Sequence, residues 1–361
     1  MKRPRPVKRV RSMGRQAAWL GAAVGAVTAG AAVRFAAERY AGERALRRSD
    51  PLREEPLGSL HTEPIWVKAD DGVRLCVEVE QPEGGAAGLT LVFSPGFMLS
   101  MDAWHFQRRD LRDLGRLVFF DARSHGRSER AAMETATIEQ LTRDLKRVLD
   151  ETAPTGPVVL VGHSLGGMVL MGFADAYPEV FGRRVVGAAL LGTSPGRMAE
   201  MTLGLPAAIM HQVWPRAPRL VDTLARRREF IEYGRKAGGD LAYVLTKRLA
   251  FGSKSVSPTV ARFASELLSQ TPVDVFAEFF PEFDRHDKEA ALPVFRGCPT
   301  LIMAGEDDVI TPAGHSRAMA EVLPQAELQV LPECGHLIQL EYPDVVNEAL
   351  RRLVDRAVRP R

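Results

Sequence analysis

Val158-Val159-Leu160-Val161-Gly162-His163-Ser164-Leu165-Gly166-Gly167-Met168-Val169 is the stretch that decides how this chain is read. A β-branched apolar run of strand character stops at Gly-His-Ser-Leu-Gly. A helical pattern then runs to about Tyr177, where Pro178 stops it. A serine on so sharp a strand-to-helix turn takes a strained backbone conformation. Its neighbours two residues to either side, Gly162 and Gly166, must lack bulk. The hydroxyl is then presented at the carboxyl end of a strand. The helix behind it aims N–H groups and a positive dipole end at any negative charge that develops there.

Working outward, apolar runs alternate with helical patterns. Residues 63–69 and 73–80 read as two strands around Asp70-Asp71-Gly72, a hairpin signal. Further strands are expected at 89–93, 116–120, 184–191, 299–304 and 326–331. Helices are expected at 103–114, 137–151, 313–322 and 342–356. In the second of these, Ile138, Leu141, Leu145, Val148 and Leu149 share one face. Such alternation means a mostly parallel central sheet with helices on both faces. Ligands then bind beyond the carboxyl ends of the strands, where Ser164 sits.

The alternation lapses over 196–292. That segment is rich in Met, Leu, Trp and Phe and has no strand pattern, so it reads as an inserted helical cap. The domain plan is therefore an N-terminal arm at 1–60, a core in two parts at 61–195 and 293–361, and the cap between them.

The formal charge of +3 comes from the arm. Lys2, Arg3, Arg5, Lys8, Arg9, Arg11 and Arg15 supply it, and the rest of the chain is net acidic, which argues against nucleic-acid binding. Residues 17–33 carry no charge and are a candidate membrane helix, with a secretory signal and a surface helix as rival readings. The expected location is membrane-anchored or exported, and otherwise cytoplasmic. Cys76, Cys298 and Cys334 have no metal-ligand spacing, and no metal or organic cofactor is implied.

A serine hydroxyl needs a base, and the base needs an orienting acid. His336 and Asp308 lie on the exits of the last two strands, and the order Ser164, Asp308, His336 suits this turn. Here the chain resembles the α/β-hydrolase superfamily with a helical lid, over about residues 60–358. The resemblance rests on Gly162-His163-Ser164-Leu165-Gly166-Gly167, on Gly305-x-x-Asp308 with Pro312, and on Gly335-His336 with Glu341 and Pro343. It implies Ser164 as nucleophile, His336 as base, and Asp308, with Asp307 its rival, as orienting acid. It also implies an oxyanion hole from the backbone N–H groups of Leu165 and Phe97, although Pro95-Gly96 stands where relatives often have His-Gly. Asp121–Ser128 looks like the family's Asp-x-Arg-Gly-x-Gly-x-Ser and is expected to be structural. His125 and His163 are expected to be packing groups; His61, His105, His211, His286 and His315 are expected on the surface or in the cap.

The expected function is cleavage of an apolar or lipid-like carboxylic ester through an acyl-serine intermediate. Lactonase, thioesterase and cofactor-free perhydrolase activity would use the same residues. A catalytically silent, membrane-tethered binding protein on the same fold is the alternative of a different class. Such relatives usually lack a triad member, and this chain has all three.

Overall fold

The computed structural model describes residues 50–82, 88–196, 239–253 and 255–359. The candidate membrane segment 17–33, the rest of the arm up to residue 49, the first half of the expected cap and His211 lie outside them. Among the described residues no helix is long and apolar enough to cross a membrane.

Eight strands form one sheet: β1 (Ile65–Lys68), β2 (Arg74–Glu80), β3 (Thr90–Ser94), β4 (Arg116–Phe120), β5 (Val158–His163), β6 (Val185–Leu191), β7 (Thr300–Gly305) and β8 (Glu327–Leu331). Their spatial order is β1-β2-β4-β3-β5-β6-β7-β8. β1 and β2 form the expected hairpin and β2 runs antiparallel to β4. Every other pairing is parallel. The central strands β3 and β5 are buried along their whole length, which is why they read as continuous apolar runs rather than as alternating ones.

Helices cover both faces: α1 (His105–Asp110), α2 (Ile138–Thr152), α3 (Leu165–Ala176), α4 (Gly239–Ala250), α5 (Pro258–Gln270), α6 (Val273–Arg285), α7 (Ala313–Val322), α8 (Ile338–Glu341) and α9 (Pro343–Val358). α2 starts where its sequence says it should. Thr137 caps it by accepting the Gln140 N–H at 3.1 Å, and its apolar face is buried. The sheet separates two apolar layers. α2 and α3 pack on one side with Val92, Leu160 and Leu190; α9 packs on the other with Phe93, Val161 and Leu191.

The single helix expected at 103–114 is a correction. A 3-10 turn at Met101–Trp104, the short α1, and a second 3-10 turn at Arg112–Leu114 replace it. Trp104 and Leu111 pack into the layer under the sheet, while Phe106 packs toward α5. The interruptions are in the backbone, which leaves helical dihedrals at Trp104 (φ −97°, ψ 21°) and again at Leu111 (φ −112°, ψ 13°). Residues 51–60, expected to belong to the N-terminal arm, pack on this same face. The Gly58 N–H donates to His105 Nδ1 at 3.2 Å, and Leu52 and Leu57 join the cluster around Phe106.

Between β6 and β7 the chain makes the excursion expected to be a cap, and its described part, α4 to α6, is helical. The excursion leaves and returns at one place. The Lys288 N–H donates to Pro195 O at 2.7 Å, and His286 Nε2 donates to Ser194 O at 2.9 Å.

Candidate active site

Because β5, β6, β7 and β8 are mutually parallel, their carboxyl ends share one edge of the sheet. The loops leaving β5, β7 and β8 carry Ser164, Asp308 and His336 respectively.

Ser164 has φ 52° and ψ −118°, a conformation that costs a non-glycine residue on the order of 1–3 kcal/mol. Close packing of the turn holds it there. A Cβ on Gly162 would stand 2.6 Å from Gly166 O, and one on Gly166 would stand 2.1 Å from Ser94 O. Only glycine fits at either place. Thr193, leaving β6, donates its hydroxyl to Ser164 O at 2.7 Å. Leu165 opens α3, so its N–H has no acceptor within the helix. Phe97 sits in a tight turn where the Leu99 N–H donates to Gly96 O at 3.2 Å and Met98 has φ 59°. This is how Pro95-Gly96 is accommodated: the backbone of Gly96 lies against the His163 ring, where a Cβ would stand 2.6 Å from Nδ1.

His336 Nδ1 lies 2.8 Å from Asp308 Oδ2. The other oxygen of Asp308 accepts the N–H groups of Ile310 at 2.8 Å and Thr311 at 2.9 Å, and the Thr311 hydroxyl donates to Oδ2 at 2.8 Å. Burial pushes the Asp308 carboxyl up. The His336 ring beside it and the Thr311 donors outweigh that and hold it below the usual carboxylate value. An ionised Asp308 requires His336 to keep its proton on Nδ1 and leaves Nε2 with a free lone pair. Asp307 is exposed, and its backbone N–H donates to Cys334 O at 2.9 Å.

Ser164, His163, His336 and Phe97 border one cavity of about 390 Å³. Its walls are apolar: Met98 and Met168 from the core, Leu245 and Leu249 from α4, Phe276 and Phe280 from α6. Phe97 also meets Phe276, Phe279 and Phe283 at ring-centroid distances of 5.1–5.8 Å, which closes one side of the cavity with aromatic surface. Among the described residues no group of three His, Cys, Asp or Glu side chains converges as metal ligands would.

A family model described as the alpha/beta hydrolase family matches residues 91–349. The chain belongs to the alpha/beta hydrolase family. Its sheet order and helical layers are those of the alpha/beta hydrolase fold. It is similar, at 26% identity over 288 residues, to the dihydrolipoyllysine-residue acetyltransferase component of an acetoin cleaving system of Pseudomonas putida; the match covers 80% of this chain and 68% of that protein. An sn-1-specific diacylglycerol lipase of Mus musculus is 27% identical over 245 residues, covering 65% of this chain and 70% of the lipase. In structure it is similar to a thermophilic esterase from Thermogutta terrifontis, with TM-score 0.65 and 24% identity over 82% of this chain and 99% of the esterase. That likeness concerns the fold.

Several residues of this hydrolase do more than their motifs announce. Arg123, wholly buried, pairs with Asp144 at 2.7 Å and Asp71 at 2.6 Å, tying the β4 exit to α2 and the hairpin. Asp121 accepts the N–H groups of Met101 and Arg127, and burial pushes its carboxyl up to about 6. His163 is more than packing: its Nε2 donates to His336 O at 2.9 Å, linking the serine turn to the histidine loop. The expectation of surface or cap fails for His105 and His315. Both are buried on core helices, and His315 Nδ1 lies 2.8 Å from Ser194 Oγ. His286 is buried at the foot of the cap. Thr311 was legible only as part of an Asp-x-x-Thr turn, a pattern that favours side-chain-to-backbone bonds but names no partner.

Burial depresses His125 to about 4 and His163 to about 3, from an ordinary value of 6.5. Both rings are therefore neutral in the folded protein near pH 7. As pH falls below 6.5 the unfolded chain binds protons that these buried rings refuse. Each ring should remove about 1.4 kcal/mol of stability per pH unit until its folded value is reached. Asp121 acts in the opposite sense between pH 6 and its ordinary 3.8, because its folded carboxyl takes up a proton first. His125→Asn should therefore flatten the acid limb of a urea-unfolding series between pH 6 and 4 by about one proton's slope. An unchanged limb would mean the ring is protonated in the native state.

Proposed function

We propose that this alpha/beta hydrolase cleaves carboxylic esters with an apolar acyl group through an acyl-serine intermediate. His336 Nε2 takes the Ser164 proton as Oγ attacks the carbonyl carbon. The Leu165 and Phe97 N–H groups receive the oxyanion. His336 then protonates the leaving alcohol, and water repeats the sequence to free the acid. Asp308 stays ionised throughout, steadying the imidazolium.

The observation that carries this reading is His336, paired with Asp308 behind it, bordering with Ser164 a cavity whose other walls are mostly aliphatic and aromatic. A neutral acyl chain suits such walls, and a charged one would be desolvated without a counter-charge. The mouse relative, named as a diacylglycerol lipase, supports a lipid-like ester.

The test is hydrolysis of a p-nitrophenyl ester series from acetate to long acyl chains, for wild type beside Ser164→Ala. Serine-dependent turnover with an optimum at intermediate chain length is expected. Absence of turnover at every length would remove the ester assignment and move attention to lactones and thioesters.

A further inference from the structure

The loop carrying His336 is held from three directions. His163 supports its carbonyl, as above. The Leu337 N–H donates to Ala250 O, the last residue of α4, at 3.0 Å. The third holder is Glu341, at the end of α8. One of its oxygens accepts the Gly335 N–H at 2.7 Å; the other accepts the N–H groups of Ser253 at 2.6 Å and Gly252 at 3.1 Å. A single half-buried carboxylate thus joins the residue before His336 to the segment that follows the cap helix α4.

The two backbones it joins are in contact. A Cβ on Gly252 would stand 2.6 Å from the Cys334 carbonyl carbon, and one on Gly335 would stand 2.6 Å from the Gly252 nitrogen. No side chain fits between them, so a shift of one segment is transmitted to the other. α4 also supplies Leu245, Thr246, Leu249 and Ala250 to the cavity wall. The wall that would contact an acyl chain and the loop that aims the imidazole therefore share one anchor.

We propose that Glu341 is a positioning residue that couples the α4 wall of the cavity to His336, so that acyl-chain preference and the aim of the base are set together. This rests on the reading of His336 as the base. Bonds from N–H groups to a carboxylate are among the stronger ones, and loss of this anchor leaves three donors to find new partners. A displacement of about 1 Å at a catalytic group can cost about 100-fold in rate.

The experiment uses the full chain with Glu341→Ala and Glu341→Gln, assayed on the p-nitrophenyl series, together with amide hydrogen exchange around Gly252 and around Gly335. Alanine should lower kcat about 10- to 100-fold, shift the chain-length optimum, and speed exchange in both segments together. Glutamine keeps one acceptor oxygen and should restore part of kcat and part of the wild-type optimum. A turn-stabilising role alone would leave the chain-length profile in place. Wild-type kcat and profile in the alanine variant, or faster exchange in one segment only, would overturn the coupling. Should wild type turn over no ester, the ester reading fails while the exchange data still decide the clamp: joint loss of protection sustains it and separate loss refutes it.

Discussion

Ser164→Ala is expected to lower kcat for ester hydrolysis by about 10⁴- to 10⁶-fold while the fold is retained, and His336→Ala to do nearly as much. The reason is the poor nucleophilicity of an unassisted hydroxyl at neutral pH. Attack at the carbonyl needs Oγ and a base in one reaction unit, and loss of either disables both. The fold should survive because the strained φ of 52° is imposed by Gly162, Gly166 and Thr193, none of which bonds to the serine hydroxyl. Alanine meets the same backbone strain as serine. Steady-state kinetics with circular dichroism of the purified variants would check this. More than about 1% of wild-type turnover in a folded Ser164→Ala protein would place the chemistry on another side chain.

Asp308→Asn should cost about 10³- to 10⁴-fold in kcat, against a change within about twofold for Asp307→Asn. The hydrogen bonds around Asp308 fix how an asparagine must sit. The site of one oxygen is claimed by the Ile310 and Thr311 N–H groups, so the amide oxygen is drawn there. The amide NH₂ then faces His336 Nδ1 and the Thr311 hydroxyl. It forces the imidazole into the tautomer with its proton on Nε2, which cannot accept from Ser164. Asp307 meets the histidine loop through its backbone N–H, which the substitution leaves in place. The same assay with both variants decides the matter, and equal losses would exclude the tautomer argument.

The architecture was legible because its signals are local. A strand buried on both faces must be a continuous apolar run, as in β3 and β5, and an amphipathic helix with a threonine cap, as in α2, announces its start and its buried face. The glycine requirement at 162 could be read for the same reason, since its Cβ would meet Gly166 four residues on; at 166 the space is denied by Ser94 O on β3, which only the sheet brings there. The broken segment around α1 was not legible. Its helical spacing is intact, and the breaks lie in the backbone dihedrals at Trp104 and Leu111, which no side-chain pattern marks. The burial of His105 and His315 was hidden likewise, because nothing near either residue in sequence reveals Gly58 or Ser194 as its partner.

By itself, then, the sequence determined the alternating sheet and helices, the strained serine turn, and the strand-exit loops on which Ser164, Asp308 and His336 lie. Only the tertiary structure decided which carboxylate faces His336, that His163 and Glu341 hold its loop, and that α4 and α6 wall an apolar cavity beside Ser164. Local pattern is set by backbone period and steric bulk, which neighbouring residues carry. Contacts such as Asp308–His336 or Glu341–Gly252 span 28 and 89 positions of chain; the first exists only once parallel strands have brought their exits to one edge of the sheet, and the second only once the segment after α4 has packed against the His336 loop.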